Sequence, residues 1–182
     1  MATNARIRLL DAAEELFYAE GIRAVGVERI LAESGVGRAS FYRHFATKDD
    51  LVVAVLERRD EAWRSWLADR VTALGGKPLA VFDALAERFA RADFRGCAFI
   101  NTMAETADTG SSAYRVAAAH KERVTAYVAD LLAAHGQDPA LARRFVLLMD
   151  GAIVTALRER TTAPAGEARA VAAAVLGGGA GG

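Results

Sequence analysis

Apolar positions recur at helical spacing along nearly the whole chain. Ile7, Leu10, Ala13 and Phe17 repeat every three or four residues, which predicts a helix over about 4–20 with Gly21 as its stop. A short apolar-rich helix is predicted over 27–34, carried by Val27, Ile30 and Leu31 and broken by Gly35. A third is predicted over about 38–45. Thr47 is placed to cap a fourth, with Asp50 at the third helical position, as in a capping box whose usual partner is Glu or Gln. That helix is expected to run to Gly75-Gly76. Further helices are predicted over about 78–92, 97–107, 113–134 and 139–160, and from about 164 until the chain enters LGGGAGG. Pro78, Pro139 and Pro164 each stand where a helix can begin. No stretch alternates with period two and β-branched enrichment, so strands are not expected.

The fold class is therefore all-α, with about nine helices. The three N-terminal helices are expected to form one unit over 1–48 and the rest a helical bundle over 49–177. Residues 178–182 form a glycine tail expected to be flexible.

Composition narrows the function. The chain has 182 residues and is 53% hydrophobic, enough for a small domain fused to a modest bundle. Its 23 Lys and Arg balance 23 Asp and Glu, so any nucleic-acid site must be a local patch. One cysteine excludes an intrachain disulfide framework and fits a reducing compartment. No apolar run reaches the roughly 18 residues of a membrane span, and the N-terminus does not read as a signal peptide. A soluble cytoplasmic protein is expected. His44, His120 and His135 are scattered without metal spacing, and no phosphate loop, dinucleotide fingerprint or nucleophile elbow occurs. The expectation is no enzyme, no cofactor and no metal.

The segment GVGRASFYRHFATKDDL, residues 35–51, mixes aromatic and cationic side chains. On a helical wheel Phe41 and Phe45 share one side, with Val36 and Gly37 at its entry. Ala39 and Arg43 lie opposite, Ser40 and Tyr42 on the flanks, and Arg38 and His44 on the borders. Two turns are too few for a helix to stand alone, so the phenylalanines must anchor it to the first two helices. The outer face then offers a small residue, a guanidinium, a hydroxyl and a phenol. That chemistry suits a helix entering a DNA major groove: Ala39 against a thymine methyl, Arg43 on guanine or phosphate, and Tyr42, His44 and Lys48 on phosphates. All formal charges from Ser34 to Lys48 are positive, and helix, glycine turn, helix is the helix-turn-helix order.

The stretch GIRAVGVERILAESGVGRASFYRHFATKDDLVVAVLE resembles the DNA-binding domain of the tetracycline-repressor (TetR) family. The resemblance lies in Gly21, Ile30, Gly35-Val36, Tyr42-Arg43-His44-Phe45 and Lys48 to Leu51, and covers about 6–56. Two positions depart from the pattern. Gly26 and Gly37 stand where the family often has a hydroxyl residue at a helix start. The resemblance implies a homodimer joined through the last two long helices, a palindromic DNA operator, and repression relieved by an unknown small-molecule effector. It assigns DNA contacts to Arg38, Ala39, Ser40, Tyr42, Arg43, His44 and Lys48. An apolar stripe of Leu141, Phe145, Leu148, Met149, Ala152 and Ala156, with Val171, Ala174 and Val175, reads either as that interface or as internal core.

An effector pocket is likewise implied in the second domain. Its candidate lining is Trp63, Trp66, Phe82, Phe89, Phe99, Met103, Tyr127 and Met149, each of which can equally be core. Cys97, Asn101 and Glu105 recur every four residues in RGCAFINTMAET and form a polar strip. The strip can bind a ligand or satisfy backbone groups of a neighbouring loop. The alternative for the whole chain is a helical ligand-binding or scaffolding protein that does not read DNA.

Overall fold

The computed structural model describes residues 2–178, and among them every regular element is a helix. In chain order these are α1 (Ala2–Glu20), α2 (Val27–Ser34), α3 (Arg38–His44), α4 (Lys48–Ala73), α5 (Ala80–Phe89), α6 (Ala98–Glu105), α7 (Ser112–Ala134), α8 (Ala142–Glu159) and α9 (Ala163–Gly178). A single 3-10 turn, Pro139–Leu141, precedes α8.

The prolines explain where helix starts differ from the sequence expectation. Pro78 opens a tight turn of i→i+3 bonds (Ala80 N–H to the Lys77 carbonyl at 2.9 Å, Phe82 N–H to Leu79 at 3.1 Å), and regular helix begins only at Ala80. Pro139 does the same, with the Asp138 carboxylate accepting from Ala140 N–H at 2.9 Å. At the other end α9 runs to Gly178, so the helix enters the glycine run expected to end it. The remainder of the expected flexible tail, 179–182, lies outside the described residues.

The chain forms two compact units. The first takes residues up to Glu61 together with Ala98–Ala119. Its core is the buried face of α1 (Leu9, Leu10, Ala13, Leu16, Phe17), with Ile30 of α2, Phe41 of α3, Leu51, Val52 and Val55 of α4, and Phe99 of α6. Ile7, expected on the α1 stripe, is exposed; Leu9 and Leu16 complete the buried arc instead. The second unit takes Ala62–Cys97 and the residues from His120 on. Its core joins Leu67 and Val71 of α4, Phe82 and Leu85 of α5, Val124, Val128 and Leu132 of α7, Phe145 and Met149 of α8, and Ala165, Ala168 and Ala172 of α9. Phe82 and Phe145 meet at a 45° tilt with ring centres 5.6 Å apart, and the alanines of α9 let α8 approach closely.

The α8 stripe is therefore core. Phe145, Met149, Ala152 and Ala156 are fully or nearly fully buried within the second unit, while Leu147 and Val154 point outward. Periodicity found an apolar face of α8, but this helix has two.

Candidate nucleic-acid interface

Gly35 ends α2 in the left-handed region, φ 61°, which a side chain rarely adopts. The Ser34 hydroxyl tightens the same turn by accepting from Val36 N–H at 3.3 Å and donating to the Leu31 carbonyl at 3.4 Å. Val36 is thereby driven into the core. Gly37 caps α3 at φ −70° with no side-chain hydrogen bond, and it is exposed rather than on the packed side expected for it. Gly26 caps α2 in the same bare fashion.

The seven residues of α3 are held by aromatic burial. Phe41 is fully buried and Phe45 nearly so, their rings 6.1 Å apart. Each burial is worth about 1.5–3 kcal/mol, more than so short a helix could supply from its own backbone. Tyr42 meets the Phe41 ring edge-on at 5.1 Å yet remains half exposed.

The remaining α3 residues divide as amphipathicity requires. Arg38, Ala39, Tyr42 and Arg43 are exposed, while Ser40 and His44 are intermediate. The α3 candidates thus share one element, and Lys48 follows as the first residue of α4. Two of the cations are already engaged. Arg38 pairs with Glu28 of α2, which removes part of the positive charge read from the sequence. The Lys48 ammonium donates to the Ile22 carbonyl at 2.5 Å and lies 5.9 Å from the Phe17 ring centre. Two other cations, missed in the sequence, join this region. The exposed Arg6 of α1 sits over the Phe45 ring at 5.4 Å. Arg8 lies beside Gly35: a β-carbon there would be in ordinary contact, 3.7 Å, with its Nη1. Their placement follows from α1 packing beside α3, which spacing within one segment does not reveal.

A charge cluster ties α1 to α4. Arg58 bonds Glu14 at 2.6 Å and Asp11 at 2.7 Å, and Arg59 bonds Glu14 at 3.1 Å while stacking on Tyr18 at 4.1 Å. Burial lowers the Arg58 pKa, but the hydrogen bonds to Glu14 and Asp11 outweigh it and hold the guanidinium above its ordinary value.

The effector candidates do not form a single lining. Phe82, Phe89 and Met149 are core residues of the second unit, with Trp63, Trp66, Tyr127 and Cys97 packed partly buried against that core. Trp63 meets the buried His120 edge-on at 5.2 Å, and Trp66 carries Arg88 at 5.6 Å. Phe99 and Met103 belong to the first unit, Phe99 buried and Met103 half-buried. Cys97 precedes α6, so the polar strip reduces to Asn101 and Glu105. These two do meet, in a small cavity of the first unit lined also by Phe17, Tyr18, Ile22 and Arg59. Its free space for a water centre is about 20 Å³, room for one or two waters. The Glu105 carboxylate accepts from Arg23 N–H in the α1–α2 loop at 2.9 Å.

This chain matches the family model described as bacterial regulatory proteins, tetR family, over residues 9–55. Along nearly its full length it is similar to the crystal structure of SCO4454, a TetR-family transcriptional regulator from Streptomyces coelicolor. The two are 34% identical with a TM-score of 0.85, covering 96% of this chain and 95% of that one. The chain belongs to the TetR family. A second structural relative of the family fold is the multidrug binding protein EbrR complexed with malachite green, 25% identical over 94% of this chain and 97% of that one, TM-score 0.74. Among curated proteins, an HTH-type transcriptional regulator of Staphylococcus aureus is 39% identical over 57 residues, 31% of each chain. The chain spans 31% to 39% of the length of the curated relatives it matches. The segment matched to the TetR family model contains α2, α3 and the start of α4, and α3 with the first residue of α4 carries all seven candidate DNA contacts.

Proposed function

We propose that this TetR-family chain is a homodimeric repressor that grips a palindromic DNA operator and is released by a small-molecule effector. The observation that carries the reading is the two-faced α3. Phe41 and Phe45 are sunk in the core while Arg38, Ala39, Tyr42 and Arg43 face outward. In this reading 1–48 reads DNA, with Ser40, His44 and Lys48 on the groove edges, and 49–177 dimerises and regulates. Ala39 and Arg43 meet base edges; the other polar groups fix the protein on phosphates.

A two-fold dimer would set two reading helices about one DNA turn apart on symmetric half-sites. Outward Leu147 and Val154 of α8 and Val171 of α9 support the expected helix pair as its interface, since large exposed apolar groups on adjacent helices favour a partner. The effector reading is supported by the malachite green complex of the relative EbrR. Effector binding must favour the non-binding arrangement by its differential affinity. A cytoplasmic location follows from the DNA partner; among the described residues no helix is long and apolar enough to cross a membrane.

Selection of bound sites from random duplexes tests this. The enriched site should be palindromic, and log K on it should fall linearly with log salt, by about 0.9 per phosphate neutralised. A chain that retains no duplex at low ionic strength overturns the reading and leaves the helical ligand-binding or scaffolding protein.

A further inference from the structure

One peptide group in the first unit is held at both ends by charged side chains. The Ile22 carbonyl accepts from Lys48 Nζ at 2.5 Å, and the Arg23 N–H, the other end of the same peptide plane, donates to Glu105 Oε2 at 2.9 Å. The carbonyl and N–H of a trans peptide point in opposite directions, so its negative end meets an ammonium and its positive end a carboxylate. Charge-assisted hydrogen bonds are stronger than neutral ones, and a chain of them polarises each member. The clasp joins the first residue of α4, the α1–α2 loop and the last residue of α6.

Gly21 makes room for it. Its φ is +92°, and a β-carbon there would lie 3.0 Å from Glu105 Oε1 and 3.1 Å from Oε2. Any side chain would be strained by the backbone and would press on the carboxylate. The glycine that ends α1 is thus also the surface on which Glu105 rests.

We propose that Glu105 is a positioning residue for DNA binding. It acts from α6, well outside the segment 9–55 that the family model matches, and it rests on the DNA-reading function above. By fixing the Ile22–Arg23 peptide, it sets the loop that leads into α2 and the carbonyl that orients Lys48. Releasing that peptide lets α2 and α3 shift on α1 and frees the Lys48 ammonium to wander. Glu105 also faces the cavity it shares with Asn101, so a hydrogen-bond donor entering there competes with Arg23 N–H for the same carboxylate.

The test uses full-length wild type, Glu105→Ala and Glu105→Gln on the duplex that wild type selects. The Gln amide oxygen still accepts from Arg23 N–H; Ala cannot. Glu105→Ala should bind about tenfold more weakly, the worth of one hydrogen bond to a charged group. Its salt slope should change by no more than the single phosphate contact assigned to Lys48. Glu105→Gln should recover most of that loss. Hydrogen exchange should show the Arg23 amide protected in wild type and in Glu105→Gln, and opened in Glu105→Ala. A purely structural role lowers the melting temperature but leaves the affinity of folded protein intact, and that result overturns the proposal. So does rapid exchange of the Arg23 amide in wild type, which needs no variant to fold. If wild type binds no duplex, the DNA reading fails instead, and amide exchange alone judges the clasp.

Discussion

Thr47 and Asp50 cap each other across the first turn of α4. The Thr47 hydroxyl oxygen accepts from Asp50 N–H at 3.1 Å, and Asp50 Oδ2 accepts from Thr47 N–H and from the Thr47 hydroxyl, both at 2.8 Å. This is the reciprocal capping box with aspartate in place of the usual longer acid. Asp49 and Asp50 also set negative charge at the positive end of the helix. Thr47→Ala should cost about 1 kcal/mol, read as a lower urea midpoint at unchanged slope. An unmoved midpoint would mean that water caps α4 as well as threonine does.

Glu28 shields a cation that the proposed interface needs. Its pair with Arg38 is exposed on both sides, so it adds little stability. Near DNA the same carboxylate repels phosphate. Glu28→Gln should leave the melting temperature nearly unchanged and tighten binding about fivefold at low salt, the equivalent of about 1 kcal/mol between charges some 4 Å apart in water. The gain should shrink as salt rises, and the part owed to unmasking Arg38 should vanish in the Arg38→Ala background. Unaltered affinity in Glu28→Gln would place Arg38 away from the DNA.

Arg43 and Tyr42 should separate base reading from phosphate gripping. Arg43→Ala should relax preference at particular base pairs, by about 1–3 kcal/mol for a bidentate contact. Tyr42→Phe should weaken every sequence alike, since it removes only a hydroxyl aimed at the backbone. Competition binding against single-base variants of the selected site distinguishes the two. Equal loss on all variants for Arg43→Ala would remove it from base readout.

The local fold of α2, α3 and the start of α4 was legible because its information is local. Phe41 and Phe45 are one turn apart, Gly35 must be left-handed, and the Thr47–Asp50 spacing is a cap wherever it occurs before a helix. What escaped the sequence reading depends on contacts between distant segments. Arg38 meets Glu28 only after the α2–α3 turn closes, and Glu105 meets Arg23 across 82 residues. Arg6 reaches Phe45, and Arg8 reaches Gly35, only through the packing of α1. The α8 stripe stayed open between core and interface for another reason: Phe145 and Leu147 are both apolar, and periodicity alone cannot say which faces the core. Cys97 fell out of the α6 strip because the helix starts one residue later than expected.

Tyr127 gives a pH signature of the second unit. Burial pushes its phenol above the ordinary tyrosine range. The unfolded phenol loses its proton near pH 10, whereas the folded one keeps it longer. Between those values the unfolded state binds fewer protons, so stability is intact below about pH 10 and falls as pH rises through the folded pKa. Tyr127→Phe should remove that part of the fall and the high-pH component of the tyrosinate absorbance titration. A missing component centred near pH 10 rather than above it would show that water reaches the phenol freely.

Gly151 offers a clean probe of the proposed dimer. It lies on the outer side of α8 between Leu147 and Val154, which are 66% and 52% exposed, and Val171 of α9 is 51% exposed. Positions 147, 151 and 154 are four and three residues apart, so they share one face. A β-carbon at Gly151 meets nothing within 4 Å inside the chain. Gly151→Leu should therefore fold normally, with a gain in helix propensity approaching 1 kcal/mol. If a second copy packs against this face, the new side chain collides with it. Sedimentation should then show wild type as a dimer and Gly151→Leu as a monomer, with loss of the tight binding that two linked half-sites confer. Leu147→Glu should act in the same direction by burying a charge at the contact. A Gly151→Leu protein that stays dimeric together with Leu147→Glu would move the interface off α8.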